Sequence, residues 1–444
     1  MRSYYRDGTP MEAGSYDMGT KTGIWRYWYA DGRPMLTENC QDSICLVVEA
    51  WDRDSTRTVV DGNGVLREYH GSGALLRECT YAYGVRNGAC QESYPAGNIK
   101  AEGTYLGGVQ HGPWTYRYSD GGVEKEEAYD KGRLHGPFRA LFRNGKENIT
   151  GNYVQGAKDG TWTWYTTSGT KDMEGPFKDD KREGLWKFWY PNGQLSSAGT
   201  FVQDKESGEW VHFYEGGQFW KKGTYAEGLK TGIWTTWYEG GQKLQEGPYV
   251  NGKEQGQWQS WFADGSKKTF GDFTEGRIDG HWQGWYPNGK LEYDGYWKND
   301  RKEGPWKLYF ETGNLQEEGT YVNGERNGRW VAYSTGGNII SEGNYINGEP
   351  NGKWSYFDDN GALMREQGFL NGRPHGEMKV YGARGKVLQE MTYKEGRLHG
   401  TMTIYGTDGR VVRSVRYEDG RQVKDPPPAV KEGARPAAVP GQKR

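Results

Sequence analysis

Long apolar runs are almost missing from this 444-residue chain, and none approaches the length a helix needs to span a bilayer. No secretory leader follows Met1 either, since Met1-Arg2-Ser3-Tyr4-Tyr5 passes straight into patterned sequence and leaves a cytoplasmic location as the default. An excess of one charge is wanting too, with 57 basic against 59 acidic residues. That balance removes the electrostatic footprint of a nucleic-acid or anionic-membrane binder. Cysteine is scarce, and Cys40 and Cys45 lack the neighbouring Cys or His of a zinc knuckle. The mean hydropathy of −0.99 would suit a disordered chain, but such chains are poor in aromatics and this one holds 20 Trp and 32 Tyr. A thin ordered sheet, with rings lying over small residues, fits that composition better.

What is present is a period. A glycine returns every 24 residues from Gly64 through Gly88, Gly112 and Gly136 to Gly400, and another follows nine residues later, from Gly73 to Gly409. Most units add Trp two residues in and an aromatic seventeen residues in. Fixed self-similarity of this kind marks an array whose units bury a core only by stacking.

The unit opening at Gly184 shows the grammar: Gly184-Leu-Trp186-Lys-Phe188-Trp189-Tyr190-Pro-Asn192-Gly193, then Leu195, Gly199 and Phe201. Asn192-Gly193 predicts a tight type I′ hairpin turn, and a second, looser turn closes each unit, as at Asn251-Gly252 and Asn323-Gly324. The fold class is therefore all-β, an elongated, twisted, single-layer antiparallel array of 24-residue β-hairpins. Register places Trp186 opposite Gly199, and the same glycine opposite Trp210 of the next unit, so each indole is expected to lie flat between glycines of both neighbouring strands. Trp and Gly are lost together where the glycine position reads Gln367 or Met391 and the Trp position Met378 or Met402. Trp114, facing Glu127, has no explanation at this level.

Alternation puts Trp186, Tyr190, Leu195, Gly199 and Phe201 on a packed face, with Lys187, Trp189, Ser196 and Ala198 on the other. The second face carries a stripe of Tyr165, Trp189, Phe213, Trp237, Trp261, Trp285, Tyr309 and Tyr333, with Glu174, Glu246, Glu318, Glu342, Glu366 and Glu390 beside it. Trp189, Trp237, Trp261 and Trp285 are the candidate partner-binding residues, because exposed aromatics bury much area at low entropic cost. The competing account is that they shield a thin sheet from water.

Four regions follow. Residues 1–32 form a first half-hairpin and repeat, in which Gly8, Gly14, Tyr16, Gly19 and Gly23 match the second half of a unit; this is either a natural cap or the remainder of something longer. Residues 33–63 break phase and read as a degenerate repeat with an insertion. Residues 64–420 hold fifteen repeats, and 421–444, with Pro426-Pro427-Pro428, form a disordered basic tail. Cys79 takes the glycine position and Cys90 the following Trp position, which makes a cross-strand disulfide feasible. Oxidised, the pair implies an extracytoplasmic compartment; reduced, it is two small buried thiols.

Chemistry finds little support. His111, His135, His375 and His399 each precede a unit glycine, and equivalents on a ladder are roughly 10 Å apart, too far to share one metal. No Ser-His-Asp, Cys-His or paired-carboxylate set stands out, and the calcium β-roll signature is missing. The expectation is no enzyme, no metal and no cofactor.

The pattern Tyr249-Val-Asn251-Gly252-Lys253-Glu-Gln-Gly256-Gln-Trp258, then Trp261-Phe262-Ala-Asp264-Gly265, resembles the MORN repeat, in the variant found in bacterial YwqK antitoxin-like proteins. The resemblance runs from Gly64 to Gly420 and partly over Arg6 to Gly32. It implies a curved hairpin array serving as a scaffold or binding surface, and no toxin-neutralising residue carries over. The function expected is a non-enzymatic scaffold binding another protein along its surface or edge. The alternative is a carbohydrate or cell-wall-binding aromatic array, in which rings stack on sugars or cage choline.

Overall fold

In the computed structural model, residues 1–423 are described. Apart from one 3-10 turn at Ala383–Gly385, all regular structure among the described residues is β-strand. The chain divides into two compact units, Met1–Gly241 and Gln242 onward. Each is an antiparallel sheet in which strands consecutive in sequence pair with one another. Among the described residues no helix is long and apolar enough to cross a membrane.

The expected register holds. Trp186 pairs with Gly199 and Gly199 with Trp210; in the second unit Trp258 pairs with Gly271 and Gly271 with Trp282. The two turns, however, exchange roles. At Asn251-Gly252 both residues have positive φ, 50° and 80°, and Val250 pairs directly with Lys253, so this is the two-residue type I′ turn. At Pro191-Asn192-Gly193 only Gly193 is left-handed (φ 87°), the Gly193 amide donates to Tyr190 O at 2.9 Å, and the Tyr190 amide donates to Gln194 O at 2.8 Å. That is a type I turn closed by a left-handed glycine. Pro191, locked near φ −65°, pre-sets its first central position. Ladder pairing then slips between Phe188 and Trp189, so that Trp189 pairs with Leu195 and Phe188 with Ser197. The slip restores the Trp186–Gly199 pair and corrects the face assignment: Leu195 sits beside Trp189, and Phe188 joins Trp186.

A second irregularity gives the 24-residue glycine its reason. Across the type I′ turn, Thr200 pairs with Ser207 while Gly199 pairs with Trp210, so Gly208 and Glu209 are squeezed out of the ladder as a bulge. Gly208 has φ 67° there, a conformation open to glycine at no steric cost.

The bulge swings the following indole back over the preceding strand. A methyl group built on Gly199 would come within 2.0 Å of the Trp210 ring, and on Gly271 within 2.1 Å of Trp282. Each indole N–H then donates to the carbonyl of the residue after that glycine: Trp210 to Thr200 at 3.2 Å, Trp282 to Asp272 at 2.9 Å, Trp354 to Asn344 at 3.1 Å. The aromatic two residues after the glycine meets the indole edge-on, as Phe201 meets Trp210 at 5.1 Å and 84°. The indole therefore covers one glycine and not two: Gly199 faces Trp186 in register but lies under Trp210.

This asymmetry resolves Trp114. Its ring covers Gly103, and its other neighbour, Glu127, needs no glycine because the position eleven residues on is Phe138 and not Trp. Gln367 with Met378 and Met391 with Met402 keep the same spacing.

Residues 33–63 stay within the sheet. Pro34–Gln41 pairs with Ile44–Trp51 through Cys40 opposite Cys45, and Arg57–Val60 leads into Asn63–Tyr69. Here the core is aliphatic: Val47, Ala50, Val59 and Leu66 pack with Cys79, Tyr81, Cys90, Ala101 and Trp114. At the other end Arg421–Val423 still pairs with Val411–Glu418, so pairing runs three residues into the segment expected to be tail. The rest of that tail lies outside the described residues.

The turn assignment makes Gly336 and Gly337 distinguishable. Gly337 has φ 90°, whereas Gly336 has ordinary φ and space for a methyl group. Gly336→Ala should be neutral or stabilise by about 0.4–1 kcal/mol, and Gly337→Ala should destabilise by about 1–2 kcal/mol, measured by thermal unfolding. Equal losses at both would restore a type I′ turn.

Candidate functional site

Within the first unit the face opposite the buried tryptophans carries Tyr165, Trp189, Phe213 and Trp237; within the second it carries Trp261, Trp285, Tyr309 and Tyr333, one per repeat. All eight are half-buried. Basic stems and rings flank them. Lys171 lies 5.6 Å from the Trp189 ring, Lys243 5.6 Å from Trp261 and Lys267 5.9 Å from Trp285, while Phe219 packs against Trp237 at 5.5 Å. Within each unit the candidate Trp residues are thus packed beside lysines or rings instead of standing free of the surface.

The acidic residues belong to the same pattern. Tyr333 donates to Glu318 at 2.8 Å, Tyr381 to Glu366 at 2.8 Å and Tyr405 to Glu390 at 3.0 Å. Burial, then the hydrogen bond to Glu318, pushes the Tyr333 phenol up to about 12. Glu366 goes the other way: burial works to raise its pKa, but contacts from Lys353 and Tyr381 outweigh that and hold the carboxyl below its ordinary value. Lys171 and Thr163 likewise lower Glu174.

Residues between units of the repeat are tied by their turns. Tyr190 donates to Phe213 O, Tyr214 to Trp237 O and Tyr286 to Tyr309 O, each at 2.8 Å. In several repeats the residue before the unit glycine accepts an amide from the next type I′ turn; His111 does not, and its Nδ1 lies 3.6 Å from an Asp130 carboxylate oxygen. His135 does so from Gln155 at 3.3 Å, Glu183 from Gln203 at 2.9 Å and Glu303 from Asn323 at 2.8 Å. His375 and His399 accept in the same way, from Glu395 and Asp419. An amide donor at the ring nitrogen gives these histidines a structural role.

Cys79 pairs directly with Cys90 and the two form a disulfide; Cys40 and Cys45 form a second one. The second escaped sequence reasoning, because its hairpin turns on Asp42-Ser43 (φ 49° and 70°) with no glycine to announce it. Buried Glu127 was also passed over as a site. Only 3% of its side chain is exposed, and it is held by Lys125 at 2.9 Å and Tyr129 at 2.7 Å, in the space other units give to glycine and indole. Both carboxylate oxygens accept from Lys125 and Oε1 also from Tyr129, which marks a structural ion pair.

These features define a class, the β-hairpin repeat proteins whose units stack through an aromatic–glycine contact. More particularly, the chain carries MORN repeats: the MORN repeat variant matches residues 86–106, 158–179, 182–203, 230–251, 278–299, 302–323, 326–347 and 374–395. Every match opens two residues before a unit glycine. No curated protein matches. Among solved structures, the crystal structure of TcdB2-TccC3-TEV is 11% identical over 95% of this chain and 24% of its own, with a TM-score of 0.14. The Photorhabdus luminescens Tc holotoxin pore (TccC3-D651A) is 11% identical over 90% and 24%, with a TM-score of 0.13. This chain spans about a quarter of the length of either.

The lowered Glu366 pKa has a definite sign. A carboxyl depressed on folding contributes stability above its unfolded pKa of about 4.3, and that contribution is lost as pH falls through the folded value. Glu366→Gln should therefore lower the thermal midpoint at pH 7, by an amount that shrinks towards zero as the pH falls through the folded pKa of Glu366.

Proposed function

We propose that this chain is a non-enzymatic repeat scaffold that binds another protein through the half-buried rings of its repeats, Trp189 and Trp237 in the first unit and Trp261 and Trp285 in the second. The observation that carries the reading is the recurrence of one half-exposed ring per repeat, flanked by lysines and carboxylates. Such a surface offers apolar anchors inside a polar rim, the composition that concentrates binding energy at protein interfaces. Each ring has an equivalent in the next repeat, so the surface supports recognition of an extended partner better than conversion of a small substrate.

Two finer readings attach to it. A toxin as the partner rests on the sequence resemblance to YwqK antitoxin-like proteins alone. An oxidising, extracytoplasmic location is supported by both cysteine pairs standing directly across a ladder. It predicts that peptide mapping without reductant recovers the Cys79- and Cys90-containing peptides as one linked species from the native source. Free thiols there would return the chain to the cytoplasm.

The test is capture on the immobilised full chain, comparing wild type with a Trp189→Ala/Trp237→Ala variant and a Trp261→Ala/Trp285→Ala variant of equal thermal midpoint. A specific protein, retained by wild type and lost from at least one variant, is the expected result. Retention of labelled cell-wall polysaccharide or choline resin that depends on the same tryptophans would replace the scaffold with a carbohydrate-binding array.

A further inference from the structure

In the repeat opening at Gly64 the buried Trp is replaced by Leu66, and Leu66 lines a cleft of about 480 Å³. Its apolar lining comes from Met35, Leu36, Leu66 and Leu76. Two walls are the rings of Tyr5 and Tyr29, fixed by hydroxyls that donate to Trp28 O and Trp51 O, each at 2.9 Å. Both rings are thereby held in place before any ligand arrives, which lowers the ordering cost of binding.

The charges around the cleft are uneven. Arg67 bonds Asp52 at 3.1 Å and also pairs with Glu78, and Glu68 pairs with Arg77 at 3.0 Å. Tyr69 donates its hydroxyl to Asp52. Arg53 is different. Its guanidinium stacks 4.3 Å over the Tyr69 ring and reaches Gly73 O at 3.5 Å, with no carboxylate partner among the described residues. One exposed, unneutralised guanidinium therefore stands beside an apolar hollow walled by fixed rings.

We infer that this cleft binds a small amphipathic monoanion, a carboxylate carrying a medium-length apolar chain, with the carboxylate on Arg53 and the chain against Met35, Leu36, Leu66 and Leu76. A planar guanidinium fork matches one carboxylate bidentately, and a single free cation suits one negative charge better than a phosphate dianion. The apolar lining supplies affinity in proportion to the chain area it removes from water. None of Trp189, Trp237, Trp261 and Trp285 lines this cleft.

The test uses the full chain and isothermal titration with octanoate, its uncharged isostere 1-octanol, and octyl phosphate. Wild type should bind one octanoate per chain, about tenfold or more tighter than 1-octanol, from the charge-assisted hydrogen bonds. Octyl phosphate should bind no tighter than octanoate. Arg53→Met should erase the preference for octanoate while leaving 1-octanol binding and the thermal midpoint unchanged. Leu76→Trp, which fills the cleft, should weaken both ligands, whereas Trp237→Ala should weaken neither. Absence of saturable octanoate binding, or a preference that survives Arg53→Met, overturns the inference; so does octyl phosphate binding tighter than octanoate.

Discussion

An indole lying flat on a glycine of the preceding strand is the contact from which the rest of this fold follows. The approach is so close that any Cβ would overlap the ring, so glycine is required wherever the tryptophan eleven residues later is kept. The ring's N–H finds the next carbonyl and its edge meets an aromatic two residues on, which satisfies the one polar atom an indole buries. A core made this way needs few aliphatics. A chain of low mean hydropathy can thus be ordered throughout its repeats.

Two backbone devices serve that contact. The bulge at the unit glycine lets the strand carry its Trp backwards, and the slip beside Trp189 returns the ladder to register after a three-residue loop. Together they set the opposite face as well. Because the slip falls at the stripe position, each stripe ring pairs with the first residue of the returning strand, Leu195 for Trp189 and Lys267 for Trp261. Lysines at or near that position then lie over the rings, and the proposed docking row inherits its cations from the geometry of the packed side.

Much of this was legible in the residues. The period, the all-β class, the Trp186–Gly199–Trp210 register and the Cys79–Cys90 pair all follow from strict spacing. The turn types did not, because a type I turn with a left-handed glycine and a type I′ turn can both read Asn-Gly. Pro191 was the available signal, since proline favours the first central position of a type I turn, which makes Asn192 the second and leaves Gly193 to close it. Which of two register-equivalent glycines an indole covers is a question of bulge direction, and pattern alone is symmetric to it. The spacing of eleven in the coupled losses, Gln367 with Met378 and Met391 with Met402, held the answer unused. The Arg53 cleft was out of reach, because it depends on which cations find carboxylates in three dimensions.

The most direct measurement is a pair of double-mutant cycles at Gly271, which faces Trp258 on one side and Trp282 on the other. Gly271→Ala is combined with Trp282→Leu and, separately, with Trp258→Leu, and local stability is read by native-state hydrogen exchange in the flanking strands. The one-sided contact predicts a coupling of about 1–3 kcal/mol with Trp282 and less than about 0.5 kcal/mol with Trp258. Equal couplings, or the larger one at Trp258, would contradict it.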